Sequence, residues 1–250
     1  MSTEKATAIV VRGTDWSETS RIATLFTREF GKVRALAKGG RRLKSSFEIA
    51  FDLLTVCEIV FIHKAHGGLD LLTEARLVEK FPHLRTDLGS LYAGYYIAEL
   101  LADGTADMDP HPALYNAAVR TLRGLENPPA TRQARLIAFE LVWLAELGYS
   151  PRLEDCAACG NLVPVSANPV AFSPAAGGIV CGECTDSVTD RRWLTPSGRM
   201  ALQQLVREPN QVQPLTTPLR LELRGLLGQT ICYRLAKRPK LLGYIEADTA

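Results

Sequence analysis

Two hydrophobic periods divide the sequence. Up to about residue 78, apolar and polar residues alternate in short runs separated by turn residues, which is typical of strands with one buried face. This pattern predicts five strands, over residues 6–12, 21–28, 31–38, 51–64 and 69–78. Five short strands favour a small closed barrel. The OB-fold is the best candidate because its second and third strands form a nucleic-acid-binding face. An SH3-like barrel or another small β-domain is the alternative.

From about Pro82 the period becomes helical. The first predicted helix carries one apolar stripe, made by Leu84, Leu88, Leu91, Tyr95, Ala98 and Leu101. A loop over residues 103–112 and a second helix over residues 113–123 follow. A third helix is predicted between an N-cap at Thr131 and Gly148, and it is apolar on nearly all sides. Such a helix is typically central to its bundle.

The segment over residues 150–192 is irregular and rich in Pro, Gly, Ala and Cys. Helical pattern returns after it, where Thr195–Pro196 and Thr217–Pro218 each resemble an N-cap followed by a first-turn proline. The sequence therefore predicts an α+β multidomain protein. Its parts are a barrel over residues 1–80, a helical domain over 81–149 and 193–250, and a cysteine-containing insert over 150–192.

Positive charge is concentrated in one part of the chain, although the net charge is only +2. Residues 21–44 hold eight basic residues and one acid, Glu29, which gives a local charge of +7. On the third strand, Lys32, Arg34 and Lys38 stand at even spacings and share one face. The cations in the loop after it are Arg41, Arg42 and Lys44.

A cationic strand face beside a cationic loop is suited to a phosphate backbone. We therefore predict that Lys32, Arg34, Lys38, Arg41, Arg42 and Lys44 contact nucleic acid, with Arg12 and Arg21 as weaker candidates. Phe47 is a further candidate for base stacking. The alternative is a solvated face or a charged edge strand.

Four of the six cysteines form two pairs, Cys156/Cys159 and Cys181/Cys184, in the pattern CxxC–x21–CxxC. Each pair can direct two thiolates at one ion from a tight knuckle, and four thiolates complete a tetrahedral Zn²⁺ site of the structural kind. A thiol-redox site is the competing interpretation, but it requires a βαβ context that this segment lacks. We predict one structural Zn²⁺. Cys57 and Cys232 are isolated and are interpreted as buried small hydrophobes.

Signals for catalysis are few. The sequence lacks a P-loop lysine, an HExxH motif and a GxSxG motif. Asp107 and Asp109 are interpreted as part of a solvated turn, not as a two-metal centre. We therefore predict a protein that is not an enzyme. No apolar run reaches membrane-spanning length, and the N-terminus lacks the layout of a signal peptide, so a cytoplasmic protein is expected.

One stretch resembles a known family. Residues 10–48, VVRGTDWSETSRIATLFTREFGKVRALAKGGRRLKSSFE, are similar to the opening of the bacterial RecO family of recombination mediators. The resembling features are the serine-glutamate-threonine before strand two, the threonine–x–x–x–glycine-lysine-valine, and the alanine-lysine-glycine loop that ends in Arg41 and Arg42. The order of barrel, helical domain and inserted CxxC pairs extends the resemblance to the whole chain.

The resemblance implies an OB-fold joined to a helical domain with a zinc-finger-like insert. It implies binding of single- and double-stranded DNA without sequence preference, annealing of complementary strands, and a nucleoid-associated location. It also implies work with RecR, and in some bacteria RecF, in loading RecA onto DNA coated by single-strand-binding protein, whose C-terminal tail would be a further partner. The alternatives are a zinc-ribbon transcription or translation factor and a zinc-containing nuclease.

Overall fold

A computed structural model describes residues 2–38, 52–64 and 68–247. The chain divides into two compact units, Met1–Arg123 and Gly124–Ala250. Among the described helices, none combines the length and the apolar character that a membrane span requires.

The first unit is built on a closed five-stranded barrel with the strand order β1-β2-β3-β5-β4. Its strands are β1 (Ser2–Asp15), β2 (Arg21–Thr27), β3 (Gly31–Ala37), β4 (Val56–His63) and β5 (Asp70–Glu79). Neighbours pair antiparallel except β3 and β5, which are parallel. The barrel core consists of alternate residues, as the sequence pattern predicted: Ala6, Ala8, Val10, Ala23, Leu25, Val33, Ala35, Ala37, Cys57, Ile59, Phe61 and Leu72. The OB-fold prediction is confirmed.

The seam between β3 and β5 is only partly closed by strand pairing. The two strands are paired from Ala35 to Ala37 on the β3 side. Earlier along β3, the segment over residues 107–109 takes this position: Asp107 forms a parallel bridge with Lys32, and the Met108 N–H donates to the Lys32 carbonyl at 2.9 Å. Met108 also packs against the barrel core. The carboxylates of Asp107 and Asp109 are 52% and 56% exposed, as the predicted solvated turn requires. What the sequence did not predict is that the backbone of this turn satisfies an open edge of β3.

Gly31 makes this close approach possible. Its φ is +68°, and a Cβ at this position would lie 1.8 Å from the carbonyl oxygen of Asp109. Only glycine meets both requirements, because a side chain is strained at this φ and would overlap the docked backbone.

Two helices complete the first unit, α1 (Leu88–Gly104) and α2 (Pro112–Arg123). Helix α1 begins at the N-cap Asp87, whose carboxylate accepts from the Ser90 N–H at 2.7 Å. The predicted stripe is partly wrong, since Leu88 is 60% exposed while Tyr96, Ile97 and Leu100 are fully buried. The boundary predicted at residue 80 also does not separate the compact units, since α1 packs against β1. The three-part domain organisation stays a prediction.

The second unit packs α3 (Pro129–Glu146) against α4 (Pro196–Arg207) and α5 (Thr217–Leu235), with α6 (Leu242–Ala247) on α5. Helix α3 is buried on nearly all sides, as predicted, and Gly148 follows its C-cap with a φ of +80°. Thr195 is the predicted N-cap of α4 and accepts from the Gly198 N–H.

Three local predictions in the second unit were wrong. Helix α3 begins at Pro129, so Thr131 lies in its first turn instead of capping it. The N-cap of α5 is Thr216, one residue before the predicted Thr217. The cysteine segment is not wholly irregular, because it contains a three-stranded sheet of β6 (Val170–Ser173), β7 (Gly178–Val180) and β8 (Arg192–Leu194). These strands are too short to show an alternating pattern.

Candidate nucleic-acid interface and metal centre

The outer side of β2 and β3 is the face where an OB-fold receives nucleic acid. Along β3, Lys32, Arg34 and Lys38 do lie on the outer side, while Val33, Ala35 and Ala37 are buried, so the predicted alternation is confirmed. Arg34 is paired across the strands with Thr24 of β2. The two ends of this face differ in exposure, since Lys32 is largely covered whereas Arg34 and Lys38 are exposed.

Lys32 is held inside the first unit. Its ammonium donates to the carbonyl oxygens of Ala102 at 2.9 Å and Thr105 at 2.5 Å, and lies 3.4 Å from Asp107 Oδ1. Only 13% of the side chain is exposed. These carbonyls belong to the C-terminal turn of α1 and the residue after it, where positive charge is favoured by the helix dipole. In this arrangement Lys32 anchors a helix end, and its ammonium does not face solvent as a free phosphate ligand would.

Arg34 and Lys38 are exposed, and neither has an ion-pair partner within the described ranges. Within the part of the chain that the structure describes, they are two positive charges without a compensating acid on the open half of the face. Trp16, in the turn between β1 and β2, is 64% exposed. The predictions for Arg41, Arg42, Lys44 and Phe47 lie outside the described residues.

The two weaker candidates are each next to a carboxylate. Arg12 donates to Asp103 Oδ1 at 2.8 Å, across from β1 to the end of α1. Arg21 Nε lies 3.6 Å from Asp15 Oδ1 and packs over Gly13. Half of the Arg12 side chain is exposed, but its charge is already compensated. Both residues have a structural partner, which sets them apart from Arg34 and Lys38.

The second unit contains the four cysteines of the two CxxC pairs, and the structure brings them together. Their Sγ atoms all lie within 4.8 Å of one another, and Cys159 Sγ is 3.8 Å from Cys181 Sγ. A tetrahedron with Zn–S bonds of about 2.3 Å has edges of about 3.8 Å. The arrangement therefore fits a tetrahedral metal ion with four sulfur ligands.

Backbone turns shape both knuckles. The Gly160 N–H donates to the Cys156 carbonyl at 2.9 Å with a φ of +80°, and the Cys184 N–H donates to the Cys181 carbonyl at 3.1 Å. The Cys181 N–H donates to Cys156 Sγ at 3.3 Å. Short CxxC spacing therefore produces the local turns that aim the sulfurs at one point.

The thiols differ in acidity. Burial opposes ionisation of Cys156, but N–H groups of Cys181, Cys159 and Ala158 outweigh it and lower its pKa to about 6. The neighbouring thiol of Cys181, followed by that of Cys159, raises the pKa of Cys184 to about 12. Four thiolates this close together would repel one another, so the four thiols cannot all ionise without a counter-ion. A divalent cation would compensate the negative charge of the thiolates.

The apolar cluster around the cysteines is small. It consists of Cys156, Ala171 and Val180, with Val163 and Val188 partly buried against it. Few apolar side chains lie directly against the sulfurs, so a bound ion would help to hold the two knuckles together. With sulfur at every position, a bound ion would have no place for a reactive water.

A buried ion pair in the second unit was missed by the sequence analysis. Glu140 of α3 and Arg224 of α5 form a two-pronged salt bridge, with their side chains 0% and 3% exposed. The only sequence signal was a charged residue at a core position of an otherwise apolar helix. The pair joins two helices of the bundle and has no open side toward a ligand.

Fold and sites together define an OB-fold protein with a cationic strand face and a four-cysteine site of the structural type. Comparison with known families gives the particular assignment. The family model "Recombination protein O N terminal" matches residues 1–81, and "Recombination protein O C terminal" matches residues 85–242. The chain belongs to the RecO family.

Curated relatives support this assignment along most of the chain. A protein of Rhodopirellula baltica named DNA repair protein RecO is 35% identical over 263 residues, covering 95% of this chain and 97% of the relative. Proteins of the same name from Desulfitobacterium hafniense and Anaeromyxobacter dehalogenans are 36% and 34% identical, and they cover 83% and 95% of this chain. Family membership supports a role in DNA repair and recombination.

Proposed function

We propose that this protein is a DNA repair and recombination mediator that binds single- and double-stranded DNA without sequence preference and anneals complementary strands. The observation that carries the proposal is the pair of exposed cations Arg34 and Lys38 on the β3 face of a closed OB barrel, neither of which has an ion-pair partner among the described residues. Contacts of this kind neutralise phosphates and release counterions, so they are blind to sequence. Weak contact with two strands would let them be held together and tested for pairing, and no catalytic residue is required.

The DNA-contacting set in this proposal is Arg34, Lys38, Arg41, Arg42 and Lys44. Lys32 has a smaller part, because its ammonium is committed to the end of α1. Arg12 and Arg21 also have smaller parts, because carboxylates lie next to them.

We also propose that the four-cysteine site holds one structural Zn²⁺, with Cys156, Cys159, Cys181 and Cys184 as ligands. The near-tetrahedral sulfur spacing supports this metal. The proposed partners are RecR, in some bacteria RecF, and the C-terminal tail of single-strand-binding protein, in loading RecA onto coated single strands. A DNA substrate of this kind would place the protein in the cytoplasm, at the nucleoid.

Salt dependence of single-strand binding tests the proposed face. Arg34→Ala/Lys38→Ala should flatten the log–log slope by about 1.4, and Arg41→Ala/Arg42→Ala/Lys44→Ala by about 2, at about 0.7 per phosphate contact. Arg76→Ala/Arg207→Ala removes two exposed cations that already have carboxylate partners and serves as the charge-matched control. An unchanged slope in both folded variants would contradict the assignment of the face.

Two further measurements separate the alternatives. Incubation of the zinc-loaded protein with labelled DNA should yield no cleavage, whereas a zinc-containing nuclease would cut it. Competition by unrelated sequences should be complete, whereas a zinc-ribbon transcription factor would retain its preferred sequence. Faster annealing of complementary strands, and faster RecA assembly on coated strands when RecR is added, would support the mediator role.

A further inference from the structure

The second unit holds a stack of planar side chains outside the metal centre. The guanidinium carbon of Arg234, near the end of α5, lies 4.6 Å from the ring centroid of Tyr149 and 5.2 Å from that of Tyr233. Tyr149 follows the end of α3, so two helix ends meet at this point. One guanidinium therefore lies against two aromatic rings at distances typical of cation–π contact.

Both rings remain open to solvent. Tyr149 is 43% exposed and Tyr233 is 54% exposed, whereas Trp143 and Phe172 of the same unit are fully buried. The Arg234 guanidinium lies against part of each ring, and about half of each tyrosine remains in contact with solvent.

The charge of Arg234 has no acidic partner within the described residues. Its Nη2 lies 3.4 Å from the carbonyl oxygens of Pro174 and Ala175, which is long for a hydrogen bond, and its buried Nε has no hydrogen-bond partner. Gly177 leaves room for it, since a Cβ there would lie 2.9 Å from Nη2. The stack is thus cationic as well as aromatic.

We infer that Tyr149, Tyr233 and Arg234 form a second nucleic-acid contact, which accepts unpaired bases of a single strand by stacking. Exposed aromatic rings next to an uncompensated arginine are the chemistry that single-strand-binding surfaces use, and stacking tolerates any base. A folded protein partner is favoured less, since the exposed surface is two rings and a cation instead of a broad apolar patch. The inference rests on the proposed function and adds a site for base stacking to a phosphate-binding barrel.

Two oligonucleotides test it with the full, zinc-loaded chain. One is a single strand of about 20 thymidines, and the other is the same backbone without bases. Tyr233→Leu should weaken binding of the thymidine strand by about 5- to 10-fold, or about 1–1.4 kcal/mol, which is the lower end of what one stacked base contributes. It should leave binding of the abasic strand within about twofold and leave the salt slope unchanged, since no phosphate contact is lost.

Two further variants serve as matched controls for Tyr233→Leu. Tyr233→Phe retains the ring and should retain the affinity for the thymidine strand. Tyr244→Leu removes another tyrosine of this unit, 52% exposed and outside the stack, and should have no effect. A thymidine strand with 5-iodouracil should crosslink to Tyr149 or Tyr233, as mapped by mass spectrometry, which gives a readout that does not depend on folding of a variant.

The outcomes separate this inference from the proposed function. Equal binding of both strands by the wild type, with no crosslink at either tyrosine, would overturn the base-stacking site and leave the DNA-binding barrel intact. Loss of thermal stability in Tyr233→Leu, with equal losses on both strands, would show that the stack is structural only and would also overturn it. Failure of the wild type to bind either strand would contradict the proposed function itself.

Discussion

Replacing Lys32 with methionine tests whether a cation on the binding face serves the fold or the ligand. The substitution keeps most of the aliphatic stem and removes the ammonium that donates to Ala102 and Thr105. Hydrogen bonds from a charged donor contribute about 1.5–3 kcal/mol each, and these two share one charge on a side chain that is 13% exposed. We therefore expect Lys32→Met to lower the free energy of unfolding by about 2–3 kcal/mol.

A thermal melt and a salt titration are both needed. For a chain of this size, the loss corresponds to a fall in Tm of about 5–10 °C. The slope of log affinity against log salt should stay within about 0.3 of the wild type, because Lys32 has only a small part in phosphate contact. The matched variant Arg34→Ala should behave in the opposite way, with a flatter slope and an unchanged Tm. A Lys32→Met protein with an unchanged Tm and a slope flattened by about 0.7 would refute the assignment of Lys32 to the helix end.

Three further predictions follow from the fold and the metal centre. Gly31→Ala should cost about 2 kcal/mol more unfolding free energy than Gly68→Ala in urea titrations, because both glycines have positive φ but only Gly31 faces a docked backbone. Arg224→Met should cost about 3–5 kcal/mol of unfolding free energy. Adding Glu140→Leu should restore most of it, since it removes the buried carboxylate that has lost its guanidinium partner; a strictly additive double variant would contradict this. Zn²⁺ affinity, measured against a chromophoric chelator, should fall at least tenfold for each pH unit between pH 8 and pH 6. The reason is that the thiol of Cys184, with a pKa of about 12, must lose its proton to bind the ion. An affinity that does not change with pH would exclude thiolate ligation.

Local patterns in the sequence were enough to predict the barrel and the cysteine site. Strand alternation identified which β3 residues face inward, since that depends only on parity along one strand. The CxxC pairs could be recognised equally well from the sequence, because each knuckle is a four-residue turn. In both cases the determining interactions are close together along the chain.

Features that depend on distant partners could not be predicted. Strand alternation placed Lys32 on the outer side of the barrel. It could not show that the ammonium donates to the carbonyl oxygens of Ala102 and Thr105, which lie 70 and 73 positions further along the chain, at the C-terminal end of α1. Glu140 and Arg224 are likewise separated by 84 positions, and neither position signals the other. Helix α6 is six residues long, too short for its period to be recognised.

The docked segment over residues 107–109 has a consequence for any shortened form of this protein. The N-terminal family match ends at residue 81, yet the backbone that satisfies the first half of β3 lies more than twenty residues beyond it. A fragment cut at residue 81 would leave the Lys32 carbonyl and its neighbours as an exposed strand edge, which is a template for association between chains. A fragment that extends through Arg123 would include the segment over residues 107–109, which pairs with this strand edge. It should stay monomeric under conditions in which the shorter fragment aggregates.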